Sequence, residues 1–274
     1  MNLLFLNMNL IKETKEIILN ESERKLAEKG WGNNAVDNVT LKKIIYNSDG
    51  YDVEGYIAEP NDKSKKYPLI IWNRGGDEKS GRLDNFLAAG ILGEISSWGF
   101  AVAATQYRNC DEFGGKEIND ILNLMKIGMQ LESFDGENIG AEGWSRGGMM
   151  TYQLLTKINF LKCAIVVAGL ADLESNFKHN AKLKNKFFTV FSDKDEDKIK
   201  EEIVKRSAVE FYFDINPEIP LLLIHGTSDE KVLYEDSRNL YEKLTTIERA
   251  EIKLHTIETG DHYLRKERKE IQKI

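Results

Sequence analysis

Residues 138–158 read NIGAEGWSRGGMMTYQLLTKI. Asn138 to Glu142 is a short strand-like run. Gly143-Trp144-Ser145-Arg146-Gly147-Gly148 follows, and then a helix-like stretch from Met149 to Ile158. The reading is strand, sharp turn, helix, with a serine at the turn. The flanking glycines answer a steric need, because such a turn strains the serine backbone and leaves no room for neighbouring side chains. The serine hydroxyl is lifted clear of the strands, and the helix N-terminus behind it offers N–H groups to a developing oxyanion. G-x-S-x-G is common by chance, but between a strand and a helix it marks a nucleophile.

Working outward, the same alternation repeats. Tyr67 to Trp72, Phe100 to Thr105, Cys163 to Ala168, Leu221 to Ile224 and Ile252 to Ile257 read as buried strands. Between them, Leu83, Phe86, Leu87, Ile91 and Ile95 fall at helical spacing. So do Ile118, Ile121, Leu122, Met125 and Met129, and later Leu233, Leu240 and Leu244. Alternation of this kind predicts an α/β fold, a mostly parallel sheet with helices on both faces and reactive groups just beyond the strand ends. Upstream, Leu41–Tyr46 and Val53–Ala58 flank Asp49-Gly50, which predicts a hairpin. Ile11, Ile18, Leu19 and Leu26 predict an N-terminal helix over about residues 8–30, ending at Gly30, which would pack on the domain or support dimerisation. The charged stretch from about Ala171 to Asp214 interrupts the rhythm and reads as a helical cap inserted into one domain spanning residues 1–274.

Composition narrows the function classes. A net charge of −7 argues against a nucleic-acid partner, since phosphate binding needs a concentrated basic surface. Lys182-Leu183-Lys184-Asn185-Lys186 lies among acidic residues and reads as a solvated face. Two cysteines, Cys110 and Cys163, make no disulfide framework and have no metal-ligand spacing, so reduced, mostly buried thiols and no metal or other cofactor are expected. Met1–Leu10 holds three asparagines and lacks a basic start, which argues against a signal peptide, and no apolar stretch reaches membrane-spanning length. The expected location is the cytoplasm, with no membrane partner.

A serine needs a base, and four histidines are available. His179 lies in the charged insertion, His255 within the last strand, and His225 directly before Gly226, which suggests a tight-turn role. His262, in Gly260-Asp261-His262 after the last strand, is the candidate base. Asp229, in His225-Gly226-Thr227-Ser228-Asp229, is the candidate orienting acid. Asp261 is its rival, disfavoured because adjacency to His262 makes the side-chain bond awkward, and Glu230 is a weaker one. The order Ser145, Asp229, His262 is that of α/β-hydrolases. Asn73-Arg74-Gly75-Gly76-Asp77 follows a strand. An N–H there, from Gly75, together with the N–H of Arg146 would form an oxyanion hole. Leu170, Leu173 and Phe177 line a substrate pocket or pack in the core. The Arg146 side chain meets an anionic substrate group or pairs with a cap carboxylate.

Together these residues resemble the catalytic domain of the prolyl oligopeptidase family of serine peptidases. Ser48-Asp49-Gly50 with Val53-Glu54-Gly55-Tyr56 looks like its entry hairpin, and Gly143 to Gly148 like its nucleophile motif. Arg206-Ser207-Ala208 is similar to its R-S-P run, with alanine in place of proline. His225 to Asp229 with Val232, and Gly260-Asp261-His262, are similar to its acid and base motifs. The resemblance implies the α/β-hydrolase fold and cleavage of a small ester, amide or short peptide through an acyl-enzyme. Family peptidases usually carry a large accessory domain, for which 274 residues leave no room. Many also have tyrosine or histidine where Arg74 stands, so the hole here must use backbone or guanidinium. A stand-alone carboxylesterase and a non-catalytic binding module remain as alternatives.

Overall fold

The computed structural model describes residues 10–77, 79–110, 112–267 and 271. Nine strands form one mostly parallel sheet: β1 (Ile11–Glu16), β2 (Val39–Ser48), β3 (Tyr51–Pro60), β4 (Tyr67–Asn73), β5 (Ala101–Thr105), β6 (Phe134–Trp144), β7 (Cys163–Val167), β8 (Leu221–Gly226) and β9 (Ile252–Ile257). Their order across the sheet is β1-β2-β3-β5-β4-β6-β7-β8-β9. The helices are α1 (Glu21–Trp31), α2 (Asn34–Asp37), α3 (Asn85–Ser97), α4 (Ile118–Gly128), α5 (Arg146–Leu155), α6 (Leu173–His179), α7 (Ala181–Val190), α8 (Glu196–Val204) and α9 (Tyr234–Leu244). The chain divides into two compact units, neither of them continuous in sequence.

The first unit comprises Met1–Trp72, Leu83–Cys110 and Asn119–Asn138. Its β2–β3 hairpin turns at Asp49-Gly50, where φ is 53° and 88°. Two left-handed residues give the turn a twist that matches the strands it joins. The turn is held from below. Asp49 accepts from Asn119 Nδ2 at 2.7 Å, and Arg108 pairs with the buried Asp120 at 2.7 Å. The expected N-terminal helix is half corrected. Residues 11–16 form β1, antiparallel to β2, and the helix starts only after Asn20. The reason is local. Asn20 Oδ1 accepts from Glu23 N at 2.9 Å while Asn20 N donates to the Glu23 carboxylate at 3.0 Å, a reciprocal cap that fixes the helix start. The helix also runs past Gly30, ending at Gly32 with φ 87°. Met1 to Asn9, on which the signal-peptide reading rests, lie outside the described residues. Among the described residues no helix is long and apolar enough to cross a membrane.

The second unit comprises Asn73–Arg82, Asp111–Ile118 and Ile139–Ile274. Strands β6 to β9 are parallel and nearly in step: Trp144 lies beside Val167, Val167 beside Ile224, and Ile224 beside His255. The loops that follow β6, β8 and β9 therefore leave from one edge. Every residue of α5 is buried. Val167, Ile224, Ile257 and Leu264 form a core cluster, so the chain beyond β9 is anchored by Leu264. Residues 171–214 fold into α6, α7 and α8 and a short 3-10 turn. Arg206-Ser207-Ala208 is buried here. Arg206 Nε donates to Phe113 O at 2.7 Å and its guanidinium lies 4.8 Å from the Phe191 ring centre, while Ser207 Oγ accepts from Leu173 N at 3.1 Å. Contrary to expectation, Cys110 and Cys163 are both exposed, as free thiols. Cys163 opens β7 at its solvent end, where the strand's burial has not yet begun.

Candidate active site

Ser145 stands between β6 and α5 with φ 57° and ψ −120°, a strained backbone for a residue with a side chain. Its neighbours hold it there. Ser145 N donates to Val167 O at 2.9 Å, and Ser145 O accepts from Gly148 N at 2.9 Å and Leu170 N at 3.1 Å. The glycines are required by close approach. A Cβ on Gly143 would lie 2.3 Å from Gly147 O, and one on Gly147 would lie 2.0 Å from Asn73 O.

The loops after β8 and β9 are joined backbone to backbone. Ser228 N donates to Gly260 O at 3.0 Å and Thr227 N to Ile257 O at 3.0 Å. A Cβ on Gly226 would sit 2.2 Å from Gly260 O, so only glycine lets the two loops meet. Their contact brings His262 Nδ1 to 2.7 Å from Asp229 Oδ2, with the carboxylate fully buried and the imidazole 11% exposed. The other oxygen, Oδ1, accepts from Lys231 N at 2.8 Å and Val232 N at 3.0 Å. Burial alone would raise the Asp229 pKa. Hydrogen bonds from His225 and His262, the His262 charge and the Val232 N–H outweigh it and hold the carboxyl well below the usual carboxylate range. Asp229 is thus an anion in hydrogen-bond contact with His262 Nδ1. Asp261 caps the turn, its carboxylate accepting from Tyr263 N at 2.9 Å and Leu264 N at 2.8 Å. His179 ends α6, and His255 stays inside β9. No hydrogen bond joins Ser145 Oγ to His262 among the described residues.

Gly75 lies against Ser145. A Cβ there would be 2.9 Å from Trp144 O and 3.1 Å from Ser145 Cβ. The Arg74 side chain, which was a candidate oxyanion donor, is buried and bonded to its own loop, with Nη1 3.0 Å from both Gly75 O and Asp77 O. Arg146 Nη2 pairs with Glu117 Oε1 at 2.8 Å, both side chains buried, and its guanidinium lies 4.9 Å from the Phe113 ring centre. This carboxylate lies outside residues 171–214, and Arg146 Nη1 also donates to Gly76 O at 3.2 Å. Leu170, Leu173 and Phe177 are all buried, and Phe177 packs at 5.3 Å on Phe187, so the structure places these three in the core. Among the described residues no cluster of three or more His, Cys, Asp or Glu is arranged to hold a metal ion.

His225, read from the sequence as a turn residue, bonds Asp229, and Asp236, not singled out from the sequence, is buried on α9. His225 is fully buried, with Nε2 3.2 Å from Asp229 Oδ2 and Nδ1 2.7 Å from Ser237 Oγ. Next to Ser237, Asp236 accepts from Ala171 N at 2.8 Å, Asp172 N at 3.0 Å and Asn176 Nδ2 at 2.8 Å. Burial nevertheless pushes its carboxyl up to about 7.

A model of the prolyl oligopeptidase family matches residues 97–274. YtmA of Bacillus subtilis (strain 168), an uncharacterized peptidase, is 27% identical over 214 residues, covering 76% of this chain and 80% of its own. Prolyl endopeptidase FAP of Mus musculus is 26% identical over 235 residues, 81% of this chain but 30% of its own length. Among solved structures, acylaminoacyl peptidase of Pyrococcus horikoshii superposes with a TM-score of 0.69 at 21% identity, over 83% of this chain and 38% of that one. A putative alpha/beta hydrolase of unknown function from Agrobacterium tumefaciens, ATU1826, superposes with a TM-score of 0.60 at 17% identity, over 84% of this chain and 91% of that one. The two structures give the fold, and the family match spans well over half of the sequence. The chain belongs to the prolyl oligopeptidase family and is a serine hydrolase with the α/β-hydrolase fold.

Proposed function

We propose that this chain cleaves a small ester, amide or short peptide through Ser145, with His262 as general base and Asp229 as the acid that orients it. The observation that carries the reading is the 2.7 Å bond from His262 Nδ1 to a buried, ionised Asp229, on the same sheet edge as the strained Ser145. Ser145 Oγ attacks the carbonyl carbon while His262 Nε2 takes its proton. The N–H groups of Gly75 and Arg146 bind the oxyanion. Collapse expels the alcohol or amine, which receives that proton from Nε2, and leaves Ser145 acylated. Water then attacks with His262 again as base, the acid departs, and the serine hydroxyl is restored. The Ser145–His262 hydrogen bond forms as substrate closes the site, since such bonds are often long before substrate arrives.

The names of this chain's relatives favour peptide or acylated-aminoacyl substrates. The relative that is matched over most of its length is named a peptidase, and the longer relatives are named prolyl endopeptidase and acylaminoacyl peptidase. With Arg74 tied to its own loop, the oxyanion is held by backbone. Residues 171–214 act as a cap that shapes the substrate pocket, and the free thiols of Cys110 and Cys163 fit a reducing, cytoplasmic setting. The alternative is a carboxylesterase, which shares the oxyanion and differs in leaving-group protonation. Rates on p-nitrophenyl esters are to be compared with rates on dipeptidyl and acyl-aminoacyl amides. Turnover of both classes is expected. Turnover of esters alone removes the peptidase reading, and turnover of neither removes the hydrolytic one.

A further inference from the structure

We propose that His225 is a positioning residue for Asp229, and that Ser237 fixes the tautomer in which His225 performs that task. The proposal rests on the triad reading above. His225 is the penultimate residue of β8, and both of its ring nitrogens are engaged. Nε2 lies 3.0 Å from Val232 O and 3.2 Å from Asp229 Oδ2. A carbonyl oxygen only accepts, so Nε2 carries a hydrogen, shared between these two oxygens. Nδ1, 2.7 Å from Ser237 Oγ, is then the bare nitrogen and accepts the serine hydroxyl hydrogen. Ser237 is fully buried on α9, so no water competes for that contact.

This arrangement gives Asp229 four donors. Oδ1 takes the N–H groups of Lys231 and Val232, and Oδ2 takes His262 Nδ1–H and His225 Nε2–H. With both oxygens held, the carboxylate cannot rotate away from His262. The second imidazole donates to the same oxygen that orients the first, so it also tempers that oxygen's basicity while His262 carries the extra proton. A residue serving packing alone would not need a donor there, and burying an imidazole with either nitrogen unsatisfied is unfavourable. His225 never touches substrate; its effect reaches Ser145 through Asp229 and His262.

The test uses the full chain as His225→Leu, His225→Gln and Ser237→Ala. His225→Leu removes both polar contacts, whereas His225→Gln keeps an N–H in the place of Nε2–H. On a p-nitrophenyl ester, His225→Leu should lower kcat by about 10- to 100-fold, the loss typical of a group that orients a reacting one. KM should stay within about twofold, because ground-state binding is untouched. His225→Gln should recover most of kcat, and Ser237→Ala should fall between the two. In proton NMR spectra, the low-field resonance of the His262 Nδ1–H should move in His225→Leu and return in His225→Gln. If His225→Leu fails to fold, nitrogen-15 histidine spectra of the wild-type chain decide instead: His225 with hydrogen on Nε2 supports the proposal, and hydrogen on Nδ1 overturns it. Folded His225→Leu with wild-type kcat and an unmoved resonance overturns it too, as does a loss confined to KM. An active wild type with an indifferent variant sinks this proposal alone. A wild type that turns over no ester or amide sinks the hydrolytic reading and this one with it.

Discussion

Gly75→Ala tests the oxyanion assignment while leaving Ser145, His262 and Asp229 unsubstituted. The new Cβ would lie 2.9 Å from Trp144 O and 3.1 Å from Ser145 Cβ. Carbon–oxygen contacts between backbones settle at roughly 3.3–3.6 Å, so the loop must withdraw by about 0.5 Å. Oxyanion donors act at about 2.7–3.1 Å, and a shift of that size carries the Gly75 N–H to the edge of useful range. Full loss of one donor costs about 100- to 1,000-fold in kcat, so partial withdrawal should cost about 10- to 100-fold. Stability should fall by about 1–3 kcal/mol, as for other overpacked sites. Gly50→Ala is the control. Its φ of 88° strains a side chain, but nothing lies within 4 Å of the new Cβ, so it should destabilise the hairpin and leave kcat unchanged. Steady-state kinetics on a p-nitrophenyl ester, with urea unfolding of each variant, give both numbers. Folded Gly75→Ala with kcat within about twofold of wild type would refute the assignment of this N–H.

Two further outcomes concern buried charge. Glu117→Gln removes the carboxylate that pairs with the buried Arg146 guanidinium and should destabilise the chain by about 3–5 kcal/mol in urea unfolding, whereas a change below about 1 kcal/mol would mean the pair is structurally idle. Asp236, raised to about 7, binds its proton more tightly when folded than unfolded. Its contribution is therefore fully present below about pH 4 and fades as pH rises through 7, by an amount of order 4 kcal/mol. Asp236→Asn should flatten that slope, and unfolding curves between about pH 4 and 8 that keep the wild-type slope in the variant would exclude Asp236 as its source.

The strand–helix alternation from β4 onward was legible because its strands are buried runs and its helices repeat apolar positions at helical spacing. The positions of the proposed triad were read for a related reason: each follows a strand, and parallel strands place such positions on one edge. β1 was not legible. Ile11-Lys12-Glu13-Thr14-Lys15-Glu16 has no apolar alternation, and it is a strand only because it pairs with β2. The cap at Asn20 and Glu23 was a local signal that would have placed the helix start correctly. Glu117, which pairs with Arg146, lies 29 residues away, and no sequence pattern links the two. His225 looked like a turn residue beside Gly226, because its partners Ser237, Val232 and Asp229 meet it only after folding. Leu170 and Leu173 follow β7, where pocket and core residues have the same composition, and both are buried.

The central claim is that Ser145 is a nucleophile activated by His262 and Asp229. Its most direct test is labelling of the full chain with a fluorophosphonate probe, followed by mapping of the modified residue by mass spectrometry. One adduct is expected, on Ser145, absent in Ser145→Ala and slowed by about 1,000-fold or more in His262→Ala. A folded wild-type chain that takes no label, or takes it on another residue, would contradict it.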